Sequence, residues 1–332
     1  MIVDIYTHIF PEKFFAAWQK VGPQLGNIAR RIGMVEPVHN LDVRFRLMDK
    51  AGPEYGNVIS LPNPPLEDIS NPEQGAELAR LANDTMAETV EKHRDRFPAF
   101  VAAVPLHNMD AAMAETDRAI KDLGARGIQI FTNVKGKPLD LPEFQPLFAK
   151  MADYDLPIWL HPARTASMTD YATEAKSRYE IWWAFGWTYE TQCACTRLVF
   201  SGLFDRHPNI KIVTHHGGGG IPFLDGRIDV GFSTLGARTT DEDYSKVLSS
   251  LKKPHIEYFK MFYADTALMG GHIGIRASLE FFGPDRVVFA TDAPFAPIPE
   301  TLAAVKRLEL DAATLKKMNV ANAEKLMKVK LG

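Results

Sequence analysis

Ile212-Val213-Thr214-His215-His216-Gly217-Gly218-Gly219-Gly220 is the stretch that decides the fold. Its short apolar run reads as a buried strand. The run ends in two imidazoles, and the glycines that follow let a backbone or a ligand approach closely. Three further runs close on a side chain able to hold a metal. They are Ile2-Val3-Asp4-Ile5-Tyr6-Thr7-His8, Pro157-Ile158-Trp159-Leu160-His161 and Val287-Val288-Phe289-Ala290-Thr291-Asp292. In a parallel α/β barrel all strands point one way, so their C-terminal ends meet at one mouth however distant in sequence. The expectation is a single (β/α)8 TIM barrel that brings His8, His161, His216 and Asp292 to one ion. Strand side chains alternate between faces, so only one of His215 and His216 should face that ion. The plain alternative for either is a hydrogen-bonded core histidine.

The bulk composition bounds the answer. Of 332 residues, 46% are hydrophobic and 24% charged, an ordinary globular balance that supports a large core. That length admits one barrel or two smaller domains. A formal net charge of −3 gives no electrostatic case for nucleic acid or membrane as a partner. No apolar run approaches the length of a membrane span. Met1 to His8 lacks the basic start and apolar core of a signal peptide and reads as a first strand, which points to the cytoplasm. The only cysteines, Cys193 and Cys195, lie two apart in an expected helix, where their side chains diverge. Neither a disulfide nor a zinc knuckle is expected there, and reduced core thiols suit a cytoplasmic protein.

Taken in order, strand and helix alternate with one regularity, which implies parallel pairing with right-handed crossovers. An amphipathic stretch runs from Pro11 to about Lys20, and residues 22 to 40 read as a loop over the mouth. Expected strands cover Asn57–Leu61, Ala99–Pro105, Gly127–Phe131, Met261–Asp265 and Arg286–Ala290. Expected helices cover Leu41–Ala51, Glu73–Arg96, Asn108–Leu123 and Leu141–Asp153, and a further helix carrying Arg227 follows the glycine run. Tyr171–Phe204 is longer than a barrel helix requires and holds Trp182, Trp183, Phe185, Trp187 and Tyr189. Such aromatic density is most often core or subunit interface. The sharper reading stacks one ring, Trp183, on an aromatic or dienoic substrate. The whole chain, 1–332, is then one domain, with a loop and helix insertion around 12–50 and a C-terminal helical extension over 311–332.

Imidazole nitrogens and a carboxylate oxygen suit a divalent ion: zinc first, with manganese or iron as further possibilities. The expected ligands are His8, His161 and Asp292, which leaves positions for water or substrate. His216 suits proton transfer, because the reference pKa of histidine is about 6.5. Asp292 is a second candidate base. Arg164, three residues after His161, sits where a substrate carboxylate can be paired. Arg227 lies eleven residues beyond His216, too far for the same metal in its own chain; a solvated surface arginine is the plain reading. Asp265 can orient a ligand histidine or cap a helix.

With these residues in view, the chain resembles the amidohydrolase superfamily, in the branch of aminocarboxymuconate semialdehyde decarboxylase and the resorcylate and salicylate decarboxylases. The resemblance runs nearly end to end. It is densest in Val3 to Pro11, Leu160-His161-Pro162, Gly202 to Pro208, His216 to Arg227, Phe262-Tyr263-Ala264-Asp265 and Thr291 to Phe295. It implies metal ligation by His8, His161 and Asp292, a reacting role for His216 in preference to His215, and an Arg227 that serves a neighbouring subunit, hence a homodimer. One departure stands out. The first strand of the family pairs His-x-His or Glu-x-His, and Tyr6-Thr7-His8 stands here. Tyr6 is then a phenolate ligand, a hydrogen-bonding neighbour of the ligands, or the mark of a lost coordination position. The family's other carboxylate-binding arginine has no match, although Arg30 and Arg31 lie near its place.

The leading expectation is a metal-dependent decarboxylase, a carbon–carbon lyase acting on a small unsaturated or phenolic carboxylic acid. A metal-dependent hydrolase of a small ester, lactone or amide uses the same residues. A third reading is a pseudo-enzyme or partner subunit whose metal site Tyr6 has weakened.

Overall fold

The computed structural model describes residues 1–21 and 27–331. Eight parallel strands form its centre: β1 (Ile2–His8), β2 (Tyr55–Ser60), β3 (in two pieces, Ala99–Phe100 and Ala102–Ala103), β4 (Ile128–Phe131), β5 (Ile158–His161), β6 (Ile212–Thr214), β7 (Tyr263–Asp265) and β8 (Val287–Val288). Each pairs in parallel with its neighbour in sequence. The ring closes where Ile5 N donates to Phe289 O (3.0 Å), Asp292 N to Tyr6 O (3.1 Å) and His8 N to Ala293 O (2.8 Å). This is the expected (β/α)8 barrel, and its first and last strands meet directly beneath the candidate site.

Alternation along the strands builds two buried clusters. Outward residues such as Ile128, Ile130, Ile158, Leu160 and Ile212 pack under the helices. Val3, Ile5, Tyr6, Val58, Trp159, Val213 and Val288 fill the barrel interior. Ala323, Leu326 and Met327, from the C-terminal helix Asn322–Met327, join that inner cluster, so the extension past Asp311 helps fill the barrel. Asn322 fastens it by donating from Nδ2 to Pro284 O and Val287 O, both at 2.8 Å.

Local chemistry sets the helix starts. Asn40, Asn71 and Asn108 each accept backbone N–H groups at the first turn of Leu41–Asp49, Pro72–Lys92 and Met109–Lys121. This satisfies donors that a helix leaves free. Gln74 bonds back to Asn71 N, completing a capping box with Pro72 in the first turn.

The structure departs from expectation in one place. Part of the stretch read as a loop is a helix, Asn27–Met34, with Ile32 buried; residues 22–26 lie outside the described residues. The helix expected after the glycine run is present and carries Arg227, but it is irregular: it opens as a tight turn over Pro222–Leu224 and widens over Arg227–Gly231.

One buried carboxylate ties the first strand to the last. Asp4 accepts from Thr291 N (3.1 Å), Thr291 Oγ1 (2.5 Å) and Tyr55 Oη (2.5 Å), and is wholly buried. Burial pushes its carboxyl up to about 6, while the Thr291 and Tyr55 donors pull it down. Asp4→Ala leaves four buried donors without this acceptor, the Tyr6 amide (3.4 Å) among them, each costing about 1–3 kcal/mol. Urea unfolding should show a loss of at least about 3 kcal/mol; a loss below about 1 kcal/mol would mean that the clamp does not hold the barrel closed.

Candidate metal centre

The barrel mouth collects four histidines and one aspartate. His8 ends β1, His161 ends β5, His215 and His216 follow β6, and Asp292 follows β8. Three local features aim them. First, the β1–β2 register shifts between Asp4 and Thr7, so β1 carries one extra residue. That bulge resets the alternation. Val3 and Ile5 face inward, and Tyr6 and His8 do so again beyond it. Second, Trp159 pairs with Val213 and Leu160 with Thr214. Val213 thus shares the inward face of Trp159, and His215 follows His161 to the inside. Third, His216 and Asp292 adopt left-handed backbone, with φ of 56° and 68°. Such conformations cost a non-glycine residue roughly 1–3 kcal/mol and persist where the surroundings enforce them.

The left-handed turn at His216 breaks the strand alternation, so both adjacent imidazoles face the mouth. Their rings stack at 3.8 Å. His215 was expected on the opposite side. It lies inside instead, fully buried and stacked on Tyr6 at 3.8 Å. The ladder with β5 holds the signal for this, because a residue one past Thr214 must take the face of His161.

Each imidazole is oriented from behind through Nδ1. Ser60 Oγ gives its proton to Thr7 O (3.2 Å) and can accept from His8 Nδ1 (3.2 Å). His161 Nδ1 bonds Pro162 O (2.8 Å) and His216 Nδ1 bonds Ala267 O (3.0 Å). A carbonyl can only accept, so these Nδ1 atoms carry hydrogen. The Nε2 atoms then keep lone pairs, the form a metal ligand needs. His215 Nδ1 lies 2.5 Å from Asp265 Oδ2. The other oxygen of Asp265 accepts from Gly217 N (2.9 Å) and Ala267 N (3.1 Å), so the carboxylate is immobile. Asp265 therefore orients a histidine, as its place at the end of β7 suggested.

The donor atoms converge. One nitrogen each from His8, His161 and His215 lie within 4.8 Å of one another, as do donor atoms of His215, His216 and Asp292. Asp292 Oδ1 is 3.3 Å from His8 Nε2 and 3.5 Å from His215 Nε2. Those two nitrogens are buried without a hydrogen-bond partner, and so is Tyr6 Oη. Buried polar atoms without partners are rare. Donors bound at about 2.0–2.2 Å to one tetrahedral ion stand roughly 3.3–3.6 Å apart. The residues present therefore fit a divalent ion.

The buried carboxylates of Asp265 and Asp292 give the site a field that favours positive charge. Burial holds His8 below its ordinary value, and burial together with the neighbouring imidazoles holds His161 well below it. Burial also acts against charge on His215, but the carboxylates of Asp265 and Asp292 outweigh it and push this group up to about 9. Burial, then the charge of His215, lowers His216 to about 4. Asp292 is itself buried, which opposes its charge, yet His215 and His8 hold it far below the usual carboxylate range. Burial, then Asp265 and Asp292, pushes the Tyr6 phenol well above its ordinary value.

Aromatic rings line the rim. Trp187 lies parallel to His216 (6.1 Å between centroids) and edge-on to His161 (5.8 Å). Phe131 is 5.2 Å from His161, and Phe295 is 6.0 Å from His8. Trp183, expected to hold this place, instead stands 6.3 Å from Trp187 and donates to Glu180. The chain breaks between the helices Ile181–Ala184 and Gly186–Phe200, which separates the two rings. Arg164 is paired with Glu190 at 3.0 Å, and its carbonyl accepts from Trp187 Nε1, so it braces Trp187. Arg227 is exposed and makes no ion pair among the described residues. Arg31, from Asn27–Met34, reaches Phe295 O at 3.2 Å. Arg44 is wholly buried and bonds His8 O and Asn57 Oδ1, which fixes the end of β1.

The sequence pattern of the amidohydrolase family matches residues 3–329. The chain belongs to the amidohydrolase family. Gamma-resorcylate decarboxylase of Rhodococcus jostii is 32% identical over 305 residues, 87% of each chain. The 2-amino-3-carboxymuconate-6-semialdehyde decarboxylase of Dictyostelium discoideum is 30% identical over 226 residues, 68% of this chain and 59% of that one. The crystal structure of a dihydroxybenzoic acid decarboxylase from Polaromonas, with bound manganese and the inhibitor 2-nitroresorcinol, superposes with a TM-score of 0.77 at 27% identity. It covers 98% of this chain and 96% of that one. This amidohydrolase therefore stands in the branch of metal-dependent decarboxylases. Among the described residues, no helix is long and apolar enough to cross a membrane.

The glycine run is needed for its shape. A Cβ on Gly219, where φ is +64°, would stand 2.6 Å from Thr188 O, on the helix that carries Trp187. A Cβ on Gly226 would meet nothing within 4 Å. Gly219→Ala should lower the melting temperature by several degrees and reduce turnover, a backbone strain of about 1–3 kcal/mol. Gly226→Ala should leave both unchanged or raise stability slightly. Equal melting temperatures in a side-by-side thermal scan would show that the run does not require glycine.

Proposed function

We propose that this amidohydrolase decarboxylates a small phenolic or related unsaturated carboxylic acid with the help of one divalent ion. The observation that carries the reading is the convergence of His8, His161 and His215, with Asp292 Oδ1 3.3 Å from His8 Nε2, in a chain that a gamma-resorcylate decarboxylase matches over 87% of its length. His8, His161 and Asp292 hold the ion. When bound, it supplies Lewis-acid stabilisation of the negative charge on a substrate oxygen. Nitrogen-rich donors suit zinc, and the Polaromonas decarboxylase structure holds manganese, so reconstitution with each ion identifies the working metal.

His216 handles the proton. His216 is only partly buried, unlike His215, and its ring lies parallel to Trp187. With Nδ1 held by Ala267 O, it exchanges a proton at Nε2 with the hydroxyl of the substrate; burial and His215 lower it to about 4, so it is neutral at rest and its protonated form gives the proton up readily. The carboxylate departs as CO2 and leaves its electron pair on the ring carbon, and His216 returns the proton to that carbon. Asp292 keeps its charge throughout. Trp187, Phe131 and Phe295 give the substrate ring apolar walls. Trp183 extends that wall, and Arg164 acts through Trp187. Tyr6 supports the ligands from beneath.

Arg227 serves the site of a second copy, which makes the working unit a homodimer. What supports this is its exposure on the helical segment after the glycine run, which also carries Phe223 and Val230, 86% and 71% exposed.

His216→Asn should keep the bound metal and the fold and lose turnover by about 10²–10⁴-fold, the usual worth of a general acid–base group. The checks are metal content and CO2 release from 2,6-dihydroxybenzoate and related phenolic acids. Near-normal turnover in His216→Asn would remove this residue from the mechanism. Full turnover after chelation would remove the metal from it. Hydrolysis of esters or lactones without CO2 release from any such acid would favour the hydrolase reading.

A further inference from the structure

The ligand set suggested by the family resemblance leaves one buried imidazole without a task. His215 is fully buried, and its Nε2 has no hydrogen-bond partner. Its Nδ1 is held by Asp265, whose second oxygen is locked by two backbone amides. The ring is stacked at 3.8 Å on both Tyr6 and His216, so it can neither swing nor tilt. Its donor nitrogen lies within 4.8 Å of those of His8 and His161 and 3.5 Å from Asp292 Oδ1.

A proton-transfer residue must reach the substrate; a structural ligand must be rigid, buried and oriented from behind. His215 has the second set of properties and His216, at the rim, the first. We infer that His215 is a protein ligand of the ion, completing a set of three imidazoles and one carboxylate with His8, His161 and Asp292. Tyr6 is then a positioning residue and not a ligand. Its flat contact clamps the His215 ring, and the phenol oxygen remains a donor beside the ion. This assignment rests on the metal-centre reading above. It makes Asp265 the orienting partner of a ligand, a role whose loss typically weakens metal binding 10–100-fold.

The test reads metal binding, not turnover. Cobalt(II) is titrated into the stripped protein and its His161→Ala, His215→Gln, Asp265→Asn and Tyr6→Phe variants, with circular dichroism as the check on folding. The expected result is a loss of affinity well beyond 100-fold in His161→Ala and His215→Gln, roughly 10–100-fold in Asp265→Asn, and less than about 5-fold in Tyr6→Phe. Unchanged affinity in a folded His215→Gln, beside a large loss in His161→Ala, overturns the inference and leaves the metal centre standing. Unchanged affinity in His161→Ala overturns both. Should His215→Gln fail to fold, X-ray absorption of the wild-type cobalt form decides the matter. Three coordinated imidazoles that persist in His216→Asn support the assignment, and two overturn it.

Discussion

The site exists because the first strand and the last one meet, and a buried carboxylate holds them together. His8 and Asp292 are 284 residues apart in the chain, yet their donor atoms lie 3.3 Å apart. Asp4 makes this possible by accepting both the amide and the hydroxyl of Thr291, the residue next to Asp292. Arg44 secures the same place from outside by bonding the His8 carbonyl. A charge-assisted bond in a dry interior is strong only if every remaining donor and acceptor is satisfied. Tyr55, Thr291 and Asn57 supply those partners here. The barrel is closed at the seam where its chemistry is assembled.

Above that seam the site follows one rule. Each imidazole spends Nδ1 on a fixed partner and presents Nε2 to the others. The partners differ in kind: a serine hydroxyl, two backbone carbonyls and a carboxylate. Only His215 has a charged partner behind it, and it is also the most confined of the four. His216 has a carbonyl behind it and an open side, next to Trp187. Two adjacent histidines are thus made chemically different, one fully buried with a carboxylate behind it and one only partly buried with a carbonyl behind it.

Much of this was legible in the sequence, for a physical reason. Buried parallel strands are short apolar runs, and their C-terminal ends gather at one mouth whatever the connections between them. His8, His161, His216 and Asp292 could therefore be grouped from four strand endings, and Asp265 from a fifth. The residues that escaped depend on backbone detail that composition does not reveal. The bulge after Asp4 carries no glycine or proline to announce it, yet it turns Tyr6 and His8 to the same side. The ladder with β5 puts His215 inside, and the left-handed turn at His216 cancels the alternation that would have put His216 outside. Trp183 and Trp187 are one helical turn apart, and only the break before Gly186 shows which of them reaches the site.

The central claim is that one ion sits among the strand ends. Anomalous diffraction from crystals grown with manganese, collected around the manganese absorption edge, tests it most directly. The account predicts one strong peak in each barrel mouth, within about 2.0–2.3 Å of His8 Nε2, His161 Nε2 and an oxygen of Asp292. A mouth without a peak in manganese-saturated crystals, or a peak bonded elsewhere, would contradict it.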